Sequence, residues 1–390
     1  MKNADTRPRL LYFTSQVPEL SSGSQVRSYH ILHKLREIYR VTLYCVTDQK
    51  IDTKQFRSTV HADSHIYPIP NISLLRSIFY ILSIRIPYIQ RYRNSIPDND
   101  LKNIPRADVC FFSELNGYFI AEQALKKQRA KMVFDAHNVE YVKFVGELSA
   151  RGFWHRLASI VFTPVFRYIE QGVLRKMNRI YACSHEDARL IREMAPHVDV
   201  KVLPNGVACQ YFTPRPKTAK PNTLLFIGNL EYSPNRDGLL YFLNEIFPRI
   251  QSAIPGIQMT ITGRGNTSYL VSHLRNPAIR CTGFVPDVRD LIAAAEVCVC
   301  PLRFGSGTRL KVLEYMAMGK PVVSTTIGAT GIKAVNGRDL LLADTPQAFA
   351  GAVVRLLREP DTARRLGMNA RKCVERLYDW KYILGKLCEL

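Results

Sequence analysis

Short apolar runs ending in small or polar residues recur along this chain, and each is followed by a stretch with helical spacing. A first series comprises Arg9 to Phe13, Val41 to Val46, Val109 to Phe112, Met132 to Phe134 and Ile180 to Cys183. A second comprises Thr223 to Ile227, Gln258 to Thr262, Ile279 to Thr282, Val297 to Cys300 and Pro321 to Ser324. Continuous apolar runs of this length are strands buried on both faces. Strands that alternate with helices predict an α/β protein with parallel sheets covered on both sides. Such sheets bind ligands at the carboxyl ends of their strands. The pattern stops and restarts across the polar stretch Tyr211 to Asn222, which holds Pro214, Pro216 and Pro221 and reads as a linker. The expected organisation is one doubly wound domain over 1–210 and a second over 211–365. A helical tail over 366–390 follows, with Leu366, Ala370, Val374, Leu377 and Trp380 on one face. With 390 residues, such a chain has ample core for two domains.

The run from Phe304 to Ser324 carries the most chemistry. Its order is a glycine turn (Gly305-Ser306-Gly307-Thr308), two cations (Arg309, Lys311), one carboxylate (Glu314), then Gly319-Lys320-Pro321 and an apolar strand. Glycines let backbone N–H groups approach a ligand, and a helix N-terminus favours negative charge. Two cations there oppose the helix dipole, which calls for a compensating anion. Arg suits a diphosphate through its planar fork and Lys as a point charge. An ionised carboxylate only accepts hydrogen bonds, so Glu314 suits a hydroxyl pair such as a ribose diol. Together these describe a nucleotide-sugar site, with Ser306, Gly307, Thr308, Arg309, Lys311 and Glu314 as its residues. The plainer reading is the loop, helix and strand of any α/β domain.

The order of the whole run closely resembles the donor-site segment of family-4 glycosyltransferases, retaining enzymes of the GT-B fold. Other segments resemble the same family in the same order. They are Asp135-Ala136-His137-Asn138-Val139-Glu140, Cys183 to Asp187, Leu203-Pro204-Asn205-Gly206-Val207, Leu225 to Leu230 with Pro234-Asn235, Thr262 to Gly265, and Gly283 to Asp287. The resemblance covers about Arg9 to Leu356. It implies two Rossmann-like domains facing a cleft, with a C-terminal helix crossing back to the first. It also implies transfer of a sugar from a nucleotide-diphosphate sugar to a glycan or lipid-linked acceptor in cell-surface polysaccharide or glycoconjugate synthesis. Retention is expected, with the leaving diphosphate stabilised by backbone donors, Arg309, Lys311 and the helix dipole. The resemblance places Gly228 and Asn229 on the donor side and gives His137 contact with the transferred sugar. Asp135 would hold the tautomer of that imidazole. With Asn138 and the loop glycine Gly23 it would form the acceptor side. Arg236 and Arg264, both after strand-end loops, are weaker candidates.

One position departs from the family pattern. Its two Glu residues are separated by seven others; Glu314 fits the second, and the first falls on Ser306. A serine cannot supply charge to a sugar ring or a developing cation. No Asp-x-Asp pair stands where a site would hold Mg²⁺, so no metal and no cofactor are expected. A nucleotide-sugar epimerase on the same scaffold would share the pocket, and a basic nucleic-acid-binding protein would share the charge. The second reading lacks a groove-reading motif, and no nucleic acid partner is expected.

Lys and Arg number 54 against 33 Asp and Glu, a formal net charge of +21. The excess is spread evenly, with 30 basic and 19 acidic residues in 1–210 and 24 and 14 in the remainder. Anionic substrates or anionic lipids would suit it. Asn71 to Pro97 holds Arg76, Arg85, Arg91 and Arg93 and no acid; Arg151 to Ile180 holds six basic residues, one acid and Phe153, Trp154, Phe162 and Phe166. Both stretches suit an anionic membrane surface, or an ordinary helix pair with a core face. No apolar run is long enough to span a bilayer. The nine cysteines are scattered without a Cys-x-x-Cys pair, and Met1 to Arg9 has no apolar core. The expectation is a reduced cytoplasmic protein, peripheral on the inner face of the membrane if bound there.

Overall fold

The computed structural model describes residues 6–20, 23–49, 51, 56, 60–71, 87–126, 128–149, 153–215, 219–305 and 307–389. The chain forms two compact units. The first comprises Met1–Val142, Ile160–Leu203 and Leu384–Leu390; the second comprises Lys143–Ser159 and Pro204–Ile383.

The first unit is built on a seven-stranded sheet of β1 (Arg9–Thr14), β2 (Arg40–Val46), β3 (Asp63–Tyr67), β4 (Val109–Ser113), β5 (Lys131–Ala136), β6 (Arg179–Ala182) and β7 (Asp199–Val202). Its order is β3-β2-β1-β4-β5-β6-β7, and every pairing is parallel. The five expected strands of this half are all present. The two additional strands, β3 and β7, are the outermost ones. Their sequences Asp-Ser-His-Ile-Tyr and Asp-Val-Lys-Val are mixed because an edge strand is only partly covered. Central β1 and β4 are buried along nearly their whole length and pack Phe13, Phe112 and Phe134 into one core.

Helix α1 (Gly23–Ile38) follows β1. Its apolar Val26 and Tyr29 are only half-buried. The inner face instead holds Gln25, Arg27 and Ser28 beside Ile31, Leu32 and Leu35. A polar face turned inward needs partners, and those partners form one of the two sites described below.

The second unit has six parallel strands: β8 (Thr223–Ile227), β9 (Gln258–Thr262), β10 (Ile279–Cys281), β11 (Val297–Cys300), β12 (Val322–Ser324) and β13 (Leu341–Leu342). The order is β10-β9-β8-β11-β12-β13. All five expected strands appear, with β13 added at an edge. Cys298 and Cys300 lie buried in β11, as the alternation with valines implies. The tail forms helix Pro360–Leu377, which buries Leu366, Ala370 and Val374, then a short helix Trp380–Leu384.

Both sheets reverse strand order once, between β1 and β4 and between β8 and β11. A reversal sends the two following loops to opposite faces and opens a crevice at the strand ends. The loops after β1, β4, β8 and β11 are therefore where ligand chemistry belongs. Among the described residues no helix is long and apolar enough to cross a membrane.

Candidate functional sites at the two sheet reversals

In the second unit the reversal brings together Gly228-Asn229, after β8, and the loop from Pro301 to Arg309, after β11. That loop leads into helix Leu310–Ala317, with Arg309 at its N-cap. Tyr315 on this helix accepts a hydrogen bond from the backbone N–H of Ile227 at 2.8 Å, which ties the helix to the last residue of β8. Lys311 Nζ donates to Asn235 Oδ1 at 2.8 Å and lies 4.2 Å from the Phe226 ring centroid. Asn235 Nδ2 in turn donates to the carbonyl of Asn229 at 2.9 Å. The glycine at 228 is a spatial requirement. A Cβ there would stand 2.7 Å from Asn235 Nδ2 and 2.9 Å from Lys311 Nζ. The structure thus unites Gly228, Asn229 and Lys311 through Asn235, which the sequence marks only as part of a loop.

The glycine turn has the backbone that only glycine adopts readily, with φ of +114° at Gly305 and +78° at Gly307. Arg309 folds back over it: a Cβ on Gly305 would lie 2.7 Å from Nη2. Thr308 Oγ1 is buried and has no hydrogen-bond partner among the described residues. A buried hydroxyl without a partner is costly, so this one is poised to serve a ligand. Ser306, the position where the family pattern departs, lies outside the described residues.

Burial above all, with a smaller push from Arg309, lowers Lys311 to about 8 against the opposing pull of Cys300 and Glu314. Burial raises Glu314 to about 7, partly offset by Lys311. Both side chains keep a little accessible surface, yet protein encloses most of each. An anion beside Lys311 would restore its full charge. Lys320, within Gly-Lys-Pro, faces elsewhere. Its Nζ donates to the carbonyls of Ala293 at 2.6 Å and Ala295 at 2.8 Å, closing the end of helix Arg289–Ala294. Arg236 lies over the Tyr269 ring at 4.7 Å and Arg264 over Phe284 at 4.2 Å, so both cations rest on aromatic faces.

In the first unit a buried polar network spans α1 and the ends of β4 and β5. Asp135 is wholly buried, and Arg27 Nε reaches its Oδ2 at 2.9 Å. Arg27 Nη1 also donates to the Leu203 carbonyl at 2.9 Å. His137 Nε2 lies 2.9 Å from Asp135 Oδ2 and 3.2 Å from Ser113 Oγ. His137 Nδ1 lies 2.9 Å from Glu114 Oε1, an ion contact. Burial opposes the charged ring, but Glu114 and Asp135 outweigh it and hold His137 at about 9. Asp135 goes the opposite way: burial would raise it, but Arg27 and His137 bring it to about 2. The two flanking carboxylates thus favour the charged form of the ring and fix its orientation.

Asn138 follows His137, half-buried, just before helix Glu140–Ser149. Glu170 caps this helix, accepting from the backbone N–H of Glu140 at 2.9 Å and of Tyr141 at 3.0 Å. Burial lifts its carboxyl to about 7 against the pull of those two donors. Gly23 opens α1 at the surface, and the adjoining Ser24 Oγ donates to Gln16 Oε1 at 3.2 Å. Arg27, Glu114 and Glu170 carried no signal in the sequence, because each is an ordinary charged residue until the fold buries it.

The network makes stability depend on pH. His137 is raised from 6.5 to about 9, so its contribution is complete below about 6.5 and fades as pH rises through 9. The Asp135 contribution behaves inversely and is lost only as pH falls from 3.8 toward 2. The stability of the first unit should fall by on the order of 3 kcal/mol between neutral pH and pH ~10. Urea unfolding followed across that range tests this, and a His137→Gln variant should lose most of the slope.

Residues 221–359 match the family described as Glycosyl transferases group 1. Glycogen synthase of Mycobacterium tuberculosis is 28% identical over 230 residues, which cover 55% of this chain and 54% of that protein. The chain thus spans about half the length of the curated relatives it matches. Among solved structures, sucrose-phosphate synthase from Thermosynechococcus elongatus superposes with a TM-score of 0.74 at 16% identity, over 98% of this chain and 97% of that one. Anabaena HepE in complex with UDP and glucose superposes with a TM-score of 0.70 at 13% identity, over 98% of each chain. Two parallel-sheet units with these strand orders and these neighbours establish the GT-B fold. The site after β8 and β11 lies within residues 221–359, the stretch that matches the family described as Glycosyl transferases group 1.

Proposed function

We propose that this chain is a glycosyltransferase that moves a sugar, with retention, from a nucleotide-diphosphate sugar to a glycan or lipid-linked acceptor in cell-surface polysaccharide or glycoconjugate synthesis. One observation carries the reading: Thr308, Arg309 and Lys311 surround a glycine turn at the sheet reversal of the second unit, with the Lys311 ammonium largely enclosed by protein and Thr308 Oγ1 buried without a partner among the described residues. A diphosphate is an anion that suits these two cations and the N–H groups of the glycine turn. Preorganised donors aimed at developing negative charge lower the barrier for its departure as a leaving group. The donor residues are Gly228, Asn229, Gly307, Thr308 and Glu314, with Arg309 and Lys311 on the phosphates. Asp135, His137, Asn138 and Gly23 serve the sugar and the acceptor. The solved relative that contains UDP and glucose directs the first test to UDP-sugars.

A thermal-shift screen across UDP-, GDP-, ADP- and dTDP-sugars should show one base class raising the melting temperature, since a ligand of the native state stabilises it by mass action. Failure of every nucleotide sugar to do so would remove the reading. Glu314→Gln should then weaken donor binding by about 1.5–3 kcal/mol, the usual value of a hydrogen bond to a charged group. Calorimetric titration measures this, and an unchanged affinity would take the ribose away from Glu314.

We further propose that the protein works in the cytoplasm, at the inner face of the membrane. The support comes from helix Phe153–Leu174, where Ile160, Phe162, Val165 and Tyr168 are all exposed, in a segment with six basic residues and one acid. The other basic stretch contributes less. Residues 72–86 lie outside the described residues, Arg91 Nε donates to the Pro70 carbonyl, and Arg93 pairs with Glu122. The protein should pellet with anionic liposomes at low salt and release at high salt. Phe162→Ser with Tyr168→Ser should weaken that binding and leave donor affinity unchanged. Equal recovery with neutral and anionic liposomes would leave a freely diffusing acceptor as the better reading.

A further inference from the structure

Glu114 is the first residue after β4, beside β1 at the strand reversal of the first unit. Its φ is +62°, in the left-handed region that a long side chain seldom occupies. Strain of this kind persists where the surroundings impose it, and it gathers at functional sites. The carboxylate sits where three loops converge. Oε1 is 2.9 Å from His137 Nδ1, after β5, and Oε2 is 3.3 Å from Gln16 Nε2, after β1. Gln16 is itself held, its backbone N–H donating to Thr14 Oγ1 at 2.9 Å and its Oε1 accepting from Ser24.

The His137 ring has two unlike sides. On one side are Asp135 and Ser113, with Arg27, Tyr12 and Cys183 behind them, and this side is closed. Glu114 stands on the other side and keeps 11% of its side chain exposed, whereas Asp135 keeps none. Arg27 already offsets the Asp135 charge, so Glu114 is the carboxylate left to the ring itself. Placing an acid in a strained backbone against an ion pair that is complete without it serves the charge state and aim of the ring.

Resting on the reading that this unit handles the sugar, we propose that Glu114 is a positioning residue for His137. It keeps the ring charged and turned toward the crevice after β1 and β4. His137 then acts as a fixed cation beside the sugar and takes no part as a general base.

Glycine at 114 separates function from folding, since it relieves the strained φ while it removes the carboxylate. Glu114→Gly, Glu114→Gln and Glu114→Asp would be compared by NMR titration of the His137 ring, by melting temperature and by donor kinetics. The His137 midpoint should fall by about one pH unit or more in the Gly and Gln variants and recover in part in the Asp variant. The Gly variant gains from relief of the strained φ and loses support for the His137 charge, so it should melt close to the parent and above the Gln variant. Its kcat should drop about tenfold or more, with donor KM within about twofold. An unchanged His137 titration in both Gly and Gln variants overturns the proposal, and so does a shifted titration with unchanged kcat. If no nucleotide sugar is a donor at all, the functional reading fails, and the titration still decides whether Glu114 holds the ring.

Discussion

Arg27→Ala should destabilise the first unit by about 3–5 kcal/mol, because it strips the buried Asp135 carboxylate of its main counter-charge and leaves it to share His137 with Glu114. The guanidinium is 1% exposed and Asp135 0%. Hydrophobic truncation at a surface arginine would cost a fraction of that. The effect comes from the stranded charge rather than from the value of the pair itself, and that distinction can be measured. Arg27→Met with Asp135→Leu should cost much less than the sum of the single changes, because no charge is then stranded. The hydrogen bond from Arg27 to the Leu203 carbonyl is lost as well, worth about 1 kcal/mol. Urea unfolding of the three variants decides the matter, and near-additive losses would contradict it.

Arg309→Ala and Lys311→Ala should each lower turnover by about 10²–10³-fold, the usual loss when a preorganised donor to developing charge is removed. Neither change should unfold the protein, since burial already disfavours the charged form of Lys311. The diagnostic is differential binding. The product nucleoside diphosphate should lose affinity in both variants, while the nucleoside alone should bind nearly as before. Equal losses for the two ligands would place the cations away from the phosphates. We propose that these two cations do the work a metal would otherwise do, so turnover should survive EDTA; loss of activity on chelation would refute that part.

Much of this architecture was legible in the chain. The central strands announce themselves as unbroken apolar runs because both of their faces are covered, and every expected run is a strand. β3, β7 and β13 escaped because edge strands need no such run. The second unit's site was also largely legible. Its glycine turn, Arg309, Lys311 and Glu314 are local in sequence, and a turn with positive φ leaves glycines as its trace. Lys320 belongs to the same run yet caps a helix, which its position in the motif could not reveal.

The first unit's network behaved differently. Asp135 and His137 stand two residues apart at a strand end and drew attention on that ground. Arg27 is 108 positions from Asp135, and Glu114 is 23 from His137. No local pattern links them, since a charged residue declares its role only through what surrounds it. The sequence by itself determined two parallel α/β units, the strands at their centres and the loop bearing the cations, because these depend on hydrophobic period and turn geometry. Only the tertiary structure decided that His137 stands between two carboxylates, that burial lowers Lys311, and that Thr308 Oγ1 is buried without a partner among the described residues. Those states are set by burial and by distances between residues far apart in the chain, and a linear reading contains neither.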